Sequence, residues 1–154
     1  MLTKNDIEKY LSIINSKLRE RNLHGDIVLT GGAVMSLVYD AREFTKDIDA
    51  LFVPTEAFRE IIDEISYEEG LPPDWLNDGV KGFLNHKMGH EVFAELPNLV
   101  VYTMNPESML ALKLTSARTD SQDMEDALVI SELPGYKYPG FKGKKPSHFS
   151  HLTG

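Results

Sequence analysis

Apolar residues recur at Ile7, Leu11, Ile14 and Leu18, a spacing of three to four that predicts one helix with a single buried stripe, running to about Arg21. Thr3-x-x-Asp6 supplies the capping box that starts it, and Asn22 to Gly25 close it. The pattern then changes. Residues 26–30 form a short apolar run without helical spacing, read as a buried strand, and Ala33 to Tyr39 return to a short helix. After a polar turn over 40–46, residues 47–53 predict a second strand. Pro54-Thr55 then opens a helix with Phe58, Ile61, Ile62 and Ile65 facing inward, and Gly70-Leu-Pro-Pro breaks it. Two more strands are expected at 91–96 and 99–103. Asn105-Pro106-Glu107 starts a helix with a capping side chain, a proline at its first position and an acid in its first turn. Met109, Leu110, Leu112 and Leu114 are its expected apolar face, and a last helix is read over 120–133, where Arg118 is placed to pair with Asp123 or Asp126. Helices and strands interleave, and the expected class is α+β: a small mixed β-sheet flanked by helices.

Composition narrows this picture. With 154 residues, 42% apolar and 26% charged, the chain is long enough to bury a core without staples. The absence of cysteine excludes disulfides and thiolate metal sites, which fits a reducing compartment. The polar start Met1-Leu-Thr-Lys-Asn-Asp is unlike a signal peptide, and the apolar runs are far shorter than a membrane span, so a cytoplasmic protein with no membrane association is expected. Net charge is −8, but residues 135–154 hold Lys137, Lys142, Lys144 and Lys145 with no acid. The body that precedes this basic, Pro/Gly-containing tail therefore carries 12 basic against 24 acidic residues, a net −12. Such a body lacks the broad basic surface that nucleic-acid binding requires. A small nucleotide escorted by a divalent cation is compatible with it, since the metal neutralises the phosphates.

The candidate chemistry lies between residues 30 and 52. Gly31-Gly32 follow the apolar run Ile27-Val28-Leu29, and fifteen residues on comes Asp47-Ile48-Asp49. Glycines at a strand end let the next helix begin with bare backbone N–H groups, which suits phosphate. Alternation on a strand projects Asp47 and Asp49 to one side, about 6–7 Å apart at the backbone. The bland reading of an isolated Asp-x-Asp is a pair of solvated carboxylates; the glycine corner beside it favours a shared ion. Mg²⁺ takes oxygen ligands and commonly bridges one or two carboxylates to substrate phosphates.

Leu29-Thr-Gly-Gly-Ala-Val-Met followed by Arg42-Glu-Phe-Thr-Lys-Asp47-Ile-Asp49 resembles the core of the nucleotidyltransferase superfamily, and Arg42-x-x-Thr45-x-Asp47-Ile-Asp49 is similar to its branch containing the AbiEii-type toxins. Leu110-Ala-Leu-Lys113-Leu-Thr-Ser-Ala-Arg118, with Asp120, Asp123 and Asp126 after it, resembles the downstream helix pair of that branch. The resemblance implies a nucleotidyltransferase-like domain over 1–134 that binds a nucleoside triphosphate with Mg²⁺ and transfers its nucleotidyl group to a hydroxyl on RNA, protein or a small molecule, in a toxin or beside a protein partner. It gives Gly31 and Gly32 the phosphates, Asp47 and Asp49 the catalytic metal, and Lys113 the neutralisation of phosphate charge. Thr45 would orient Asp47, and Arg42 would meet triphosphate oxygens bidentately. As residues alone, Arg42 is equally an exposed turn residue, Thr45 a strand former, and Lys113 a side chain snorkelling between leucines.

The pattern departs from the superfamily in one respect. Active members draw a third carboxylate from a later strand, and here the strands at 91–103 offer only Glu91 and Glu95, with Asp78 more remote. The alternative is therefore a catalytically degenerate module of the same fold, binding a nucleotide or a protein. Trp75 reads as a core anchor, and the resemblance puts Asn77 and Asp78 at the pocket edge. His86 and His90, four apart, would suit zinc on a helix, but Gly89 and the turn-like composition predict a loop instead.

Overall fold

A computed structural model describes residues 1–79 and 89–116. Its elements run β1 (Leu2–Thr3), α1 (Lys4–Glu20), β2 (Gly25–Leu29), α2 (Gly31–Leu37), β3 (Phe44–Thr45), β4 (Ile48–Val53), α3 (Thr55–Glu69), β5 (Leu76–Asn77), β6 (His90–Glu95), β7 (Leu99–Met104) and α4 (Pro106–Ser116). The class is α+β, built on a five-stranded mixed sheet of order β5-β4-β2-β7-β6. β2 sits at its centre, antiparallel to β4 and parallel to β7; β1 and β3 form a separate two-stranded ladder.

Local chemistry sets the helix ends. Thr3 and Asp6 close the capping box on α1, with side chains and backbone amides exchanging bonds of 2.9 and 3.2 Å. Asn105 caps α4 by accepting from the Ser108 amide at 2.8 Å. Gly70 ends α3 in the left-handed conformation, φ 69°. The expected strand at 26–30 runs one residue earlier, and the expected helix at 33–39 begins at Gly31.

One face of the sheet is the core. Ile27 and Leu29 on β2, Ile48, Ala50 and Phe52 on β4, and Leu99 and Val101 on β7 are buried with Ile7, Leu11, Ile14 and Leu18 of α1 and Phe58, Ile61 and Ile65 of α3. Trp75 is buried as expected; its indole N–H donates to the Ile62 carbonyl at 3.0 Å and its ring meets Tyr10 edge-on at 5.3 Å. Gly25 is required by packing, because a Cβ there would lie 2.7 Å from the Phe58 ring. The expected apolar face of α4 holds only in part: Met109 is buried, Leu110 half-buried and Leu114 58% exposed. No described helix is long and apolar enough to cross a membrane. The reading of residues 120–133 as a helix, the Arg118 pairing, the 135–154 tail and His86 lie outside the described residues, whereas His90 is the first residue of β6.

Candidate functional site

The end of β2 and the beginning of β4 meet at one corner of the sheet. Leu29 pairs with Ala50, and one residue further the Thr30 amide and hydroxyl both donate to the Asp49 carbonyl, at 3.0 and 3.1 Å. Thr30 occupies the N-cap position of α2, yet gives that helix no side-chain hydrogen bond; its hydroxyl serves the neighbouring strand instead.

The chain turns away from the sheet at Gly31, whose φ of +57° is a left-handed conformation disfavoured for residues with a Cβ. A Cβ at Gly31 would stand 3.8 Å from Asp49 Oδ2, so the Asp49 carboxylate faces this glycine. Gly32 is needed for a different reason. A Cβ there would collide with Thr45 Oγ1, reach Thr45 Cβ at 3.1 Å and lie 2.7 Å from Arg42 Nη1. Gly31, Gly32, Arg42, Thr45 and Asp49 thus converge in space although 18 positions separate the first from the last.

The acidic doublet is less regular than strand alternation predicts. β4 starts at Ile48, and Asp47 falls in the bend before it. After Thr30 the chain departs into α2, so no β2 residue pairs with Ile48 or Asp47. Thr45 turns its hydroxyl to the Asp47 main-chain carbonyl, at 2.9 Å. Thr45 is itself buried, and its backbone pairs with Leu2 of β1. Arg42 is half-buried, and its carbonyl accepts from the buried Ser36 hydroxyl at 2.7 Å. Lys113 lies within α4; its side chain is outside the described residues.

Strand register decides where the other acids stand. Asp49 projects to the face that also bears Val28, Leu51, Val100 and Tyr102, all half-buried, since these alternate with Leu29, Ala50, Val101 and Thr103 of the core face. Glu91 opposes Thr103, and so belongs to the core side, where its charge acts on Tyr39. Burial, with a smaller push from Glu91, raises the Tyr39 phenol to about 12. Glu95 opposes Val100 at the far end of the sheet, about 10 Å along it from Leu29 by strand rise. Asp78 pairs with Arg59 of α3 at 3.3 Å. Asn77, opposite Asp49 in register, gives its amide to the Asp74 carbonyl at 3.3 Å and accepts from the Gly79 amide at 3.1 Å. Both edge residues thus have structural partners.

The donor chemistry fits a hard cation: the Asp49 carboxylate at the glycine corner and the Asp47 carboxylate two residues before it in sequence offer oxygen ligands only. Among the described residues no group of three or more His, Cys, Asp or Glu is placed to hold a metal. A hard cation that keeps several waters needs only one or two protein carboxylates. A groove of 330 Å³ lies elsewhere, between α1 and α3, bordered by Ser12, Lys17, Glu68 and Glu69. Its walls are tied by ion pairs from Lys17 to Glu64 and Glu68, and it contains none of the corner residues. Thr30 and Ser36 had no place in the sequence reading; their signal was a hydroxyl directly before, and another four residues after, the glycine pair.

A mixed five-stranded sheet with helices on its core face, a glycine turn after the central strand and an acid opposite it on the antiparallel neighbour define a nucleotidyltransferase-like domain. A family model described as a nucleotidyltransferase of unknown function (DUF6036) matches residues 8–134, most of the chain, and the protein belongs to that family. No curated protein and no solved structure matches the chain significantly.

Proposed function

We propose that this protein binds a nucleoside triphosphate together with Mg²⁺ and transfers the nucleotidyl group to a hydroxyl acceptor. The observation that carries this reading is the meeting of Gly31, Gly32, Arg42 and Thr45 with the Asp49 carboxylate at one sheet corner. The Gly31 and Gly32 amides donate to phosphate oxygens at the turn into α2; at Gly31 no Cβ keeps them away, while at Gly32 the missing Cβ lets Thr45 and Arg42 close in beside them. Asp49 and Asp47 hold the cation, Arg42 forks onto phosphate oxygens, and Lys113 adds charge neutralisation from α4. Bound Mg²⁺ supplies Lewis-acid stabilisation of charge developing on the transferring and leaving phosphates. In the in-line step, a bond forms from the acceptor hydroxyl oxygen to the α-phosphorus as the bond to the bridging oxygen breaks, pyrophosphate departs and the hydroxyl proton is released to solvent. The chain's own contribution is to fix the phosphates in that line.

The acceptor is RNA, protein or a small molecule. Membership of the AbiEii-toxin-like branch, and with it a toxin role and a protein partner, is supported by the Arg42-x-x-Thr45-x-Asp47-Ile-Asp49 spacing, and a cytoplasmic location by the cysteine-free composition. One observation favours a second reading, a binding module without turnover: Glu91 belongs to the core face, Glu95 stands about 10 Å along the sheet from Leu29, and Asp78 is paired with Arg59.

Calorimetric titration with ATP, GTP, CTP and UTP, with and without Mg²⁺, tests the first step; metal-dependent binding of at least one is expected, and its absence for all four removes both readings of nucleotide recognition. Incubation with α-labelled nucleotides and RNA or lysate then separates enzyme from binder. Label transfer that survives Asp47→Asn with Asp49→Asn would refute the site.

A further inference from the structure

Three hydroxyls around the corner share one arrangement. Thr30 donates to the carbonyl of Asp49 at 3.1 Å, Ser36 to that of Arg42 at 2.7 Å, and Thr45 to that of Asp47 at 2.9 Å. All three are at least 95% buried, at 1%, 1% and 4% exposure. Three of the four charged residues assigned to the phosphates and cation, Asp49, Arg42 and Asp47, therefore have their backbone held by a buried hydroxyl. For Thr45 the family resemblance implies such a role. It implies none for Thr30 and Ser36.

From this geometry we propose that Thr30 and Ser36 are positioning residues that hold the main chain of Asp49 and Arg42 so that their side chains share one binding geometry. The inference rests on the nucleotide reading above. Both hydroxyls are buried and donate to main-chain carbonyls, so their action is through Asp49 and Arg42. Thr30 acts where β2 leaves the sheet: its amide alone supplies one bond to the Asp49 carbonyl, and the hydroxyl supplies a second from another direction, which restrains the peptide plane after Asp49. Ser36 acts from the buried side of α2 across to the segment that carries Arg42, away from any regular ladder. A site of this kind needs its charged groups held to within a fraction of an ångström, and supporting hydrogen bonds are the usual means.

The test compares Thr30→Val, Thr30→Ser, Ser36→Ala and a control, Ser66→Ala. Ser66 makes a similar hydroxyl-to-carbonyl bond, to Leu71 at 2.6 Å, but at the far end of α3. Affinity for Mg²⁺ with the best-bound nucleotide is measured by calorimetry well below each variant's melting temperature. Thr30→Val and Ser36→Ala are expected to bind about two- to ten-fold more weakly, the range for one hydrogen bond lost from a positioning network. Thr30→Ser restores affinity, and Ser66→Ala lowers the melting temperature while leaving affinity unchanged. Unchanged affinity in both Thr30→Val and Ser36→Ala, in a protein whose wild type binds and whose Asp49→Asn variant does not, overturns the proposal alone. Failure of the wild type to bind any nucleotide overturns the underlying reading and the proposal with it. Equal weakening in Ser66→Ala shows a general stability effect and also overturns it.

Discussion

Replacing Gly32 by alanine should destabilise the protein, and most of that cost should vanish when Thr45 is also trimmed. Gly32 lies within α2, where alanine is intrinsically better than glycine by up to about 1 kcal/mol. Against this stands the new methyl's overlap with Thr45 Oγ1 and its approach to Thr45 Cβ at 3.1 Å and Arg42 Nη1 at 2.7 Å. Arg42 Nη1 ends a long side chain and can retreat. Thr45 cannot: it is 4% exposed, its hydroxyl is committed to the Asp47 carbonyl and its backbone is paired with Leu2. Overpacking of this kind costs about 1–3 kcal/mol, and loss of the hydroxyl bond adds about 0.5–1.5 kcal/mol. The expected net loss for Gly32→Ala is therefore about 1–3 kcal/mol, read from urea unfolding followed by circular dichroism. In a Thr45→Ala background the obstructing oxygen is gone and only the 3.1 Å approach of the residue-45 Cβ remains, so the cost of Gly32→Ala should fall to within about 1 kcal/mol of neutral. The cycle should give a coupling of at least about 1 kcal/mol between the two positions. Gly31→Ala is the companion: its Cβ meets Asp49 Oδ2 only at an ordinary 3.8 Å, so its cost, about 1–2 kcal/mol, comes from the left-handed backbone and should not depend on Thr45. Additive behaviour of Gly32→Ala and Thr45→Ala would refute the close approach on which the corner is built.

Two further outcomes follow from the core. Tyr39 is held protonated to about pH 12, above the ordinary phenol value of 10, so its contribution to stability is complete below pH 10 and is lost as pH rises through 12. Tyr39→Phe should therefore flatten the alkaline loss of stability in that window, and an unchanged pH–stability curve from pH 9 to 12 would contradict the assignment. Trp75→Phe removes the indole bond to the Ile62 carbonyl and leaves a void beside Tyr10, at an expected cost of about 1–3 kcal/mol in chemical unfolding. A loss below about 0.5 kcal/mol would show that the indole is not the anchor its burial implies.

What the amino-acid pattern determined by itself was local. Thr3 with Asp6 and Asn105 with Ser108 make the predicted caps, because a cap needs only residues three apart. The stripe from Ile7 to Leu18 is buried as its spacing requires, and Gly31 stands at the sharp turn that its lack of a Cβ allows. The α+β class followed from the change of period along the chain. Folding decided everything that depends on which strand lies beside which. Glu91 and Glu95 look equivalent in sequence, yet antiparallel pairing with β7 and the irregularity between Val92 and Ala94 send one to the core face and the other to the far end of the sheet. Asp78 finds a partner in Arg59, nineteen positions earlier on α3. The start of β4 at Ile48, the union of Gly32 with Arg42 and Thr45, and the hydroxyls of Thr30 and Ser36 are likewise products of contact between elements. Side-chain periodicity specifies which residues are buried, but the partner each polar group finds is set by strand order and register, and these are settled only when the whole sheet closes on its core.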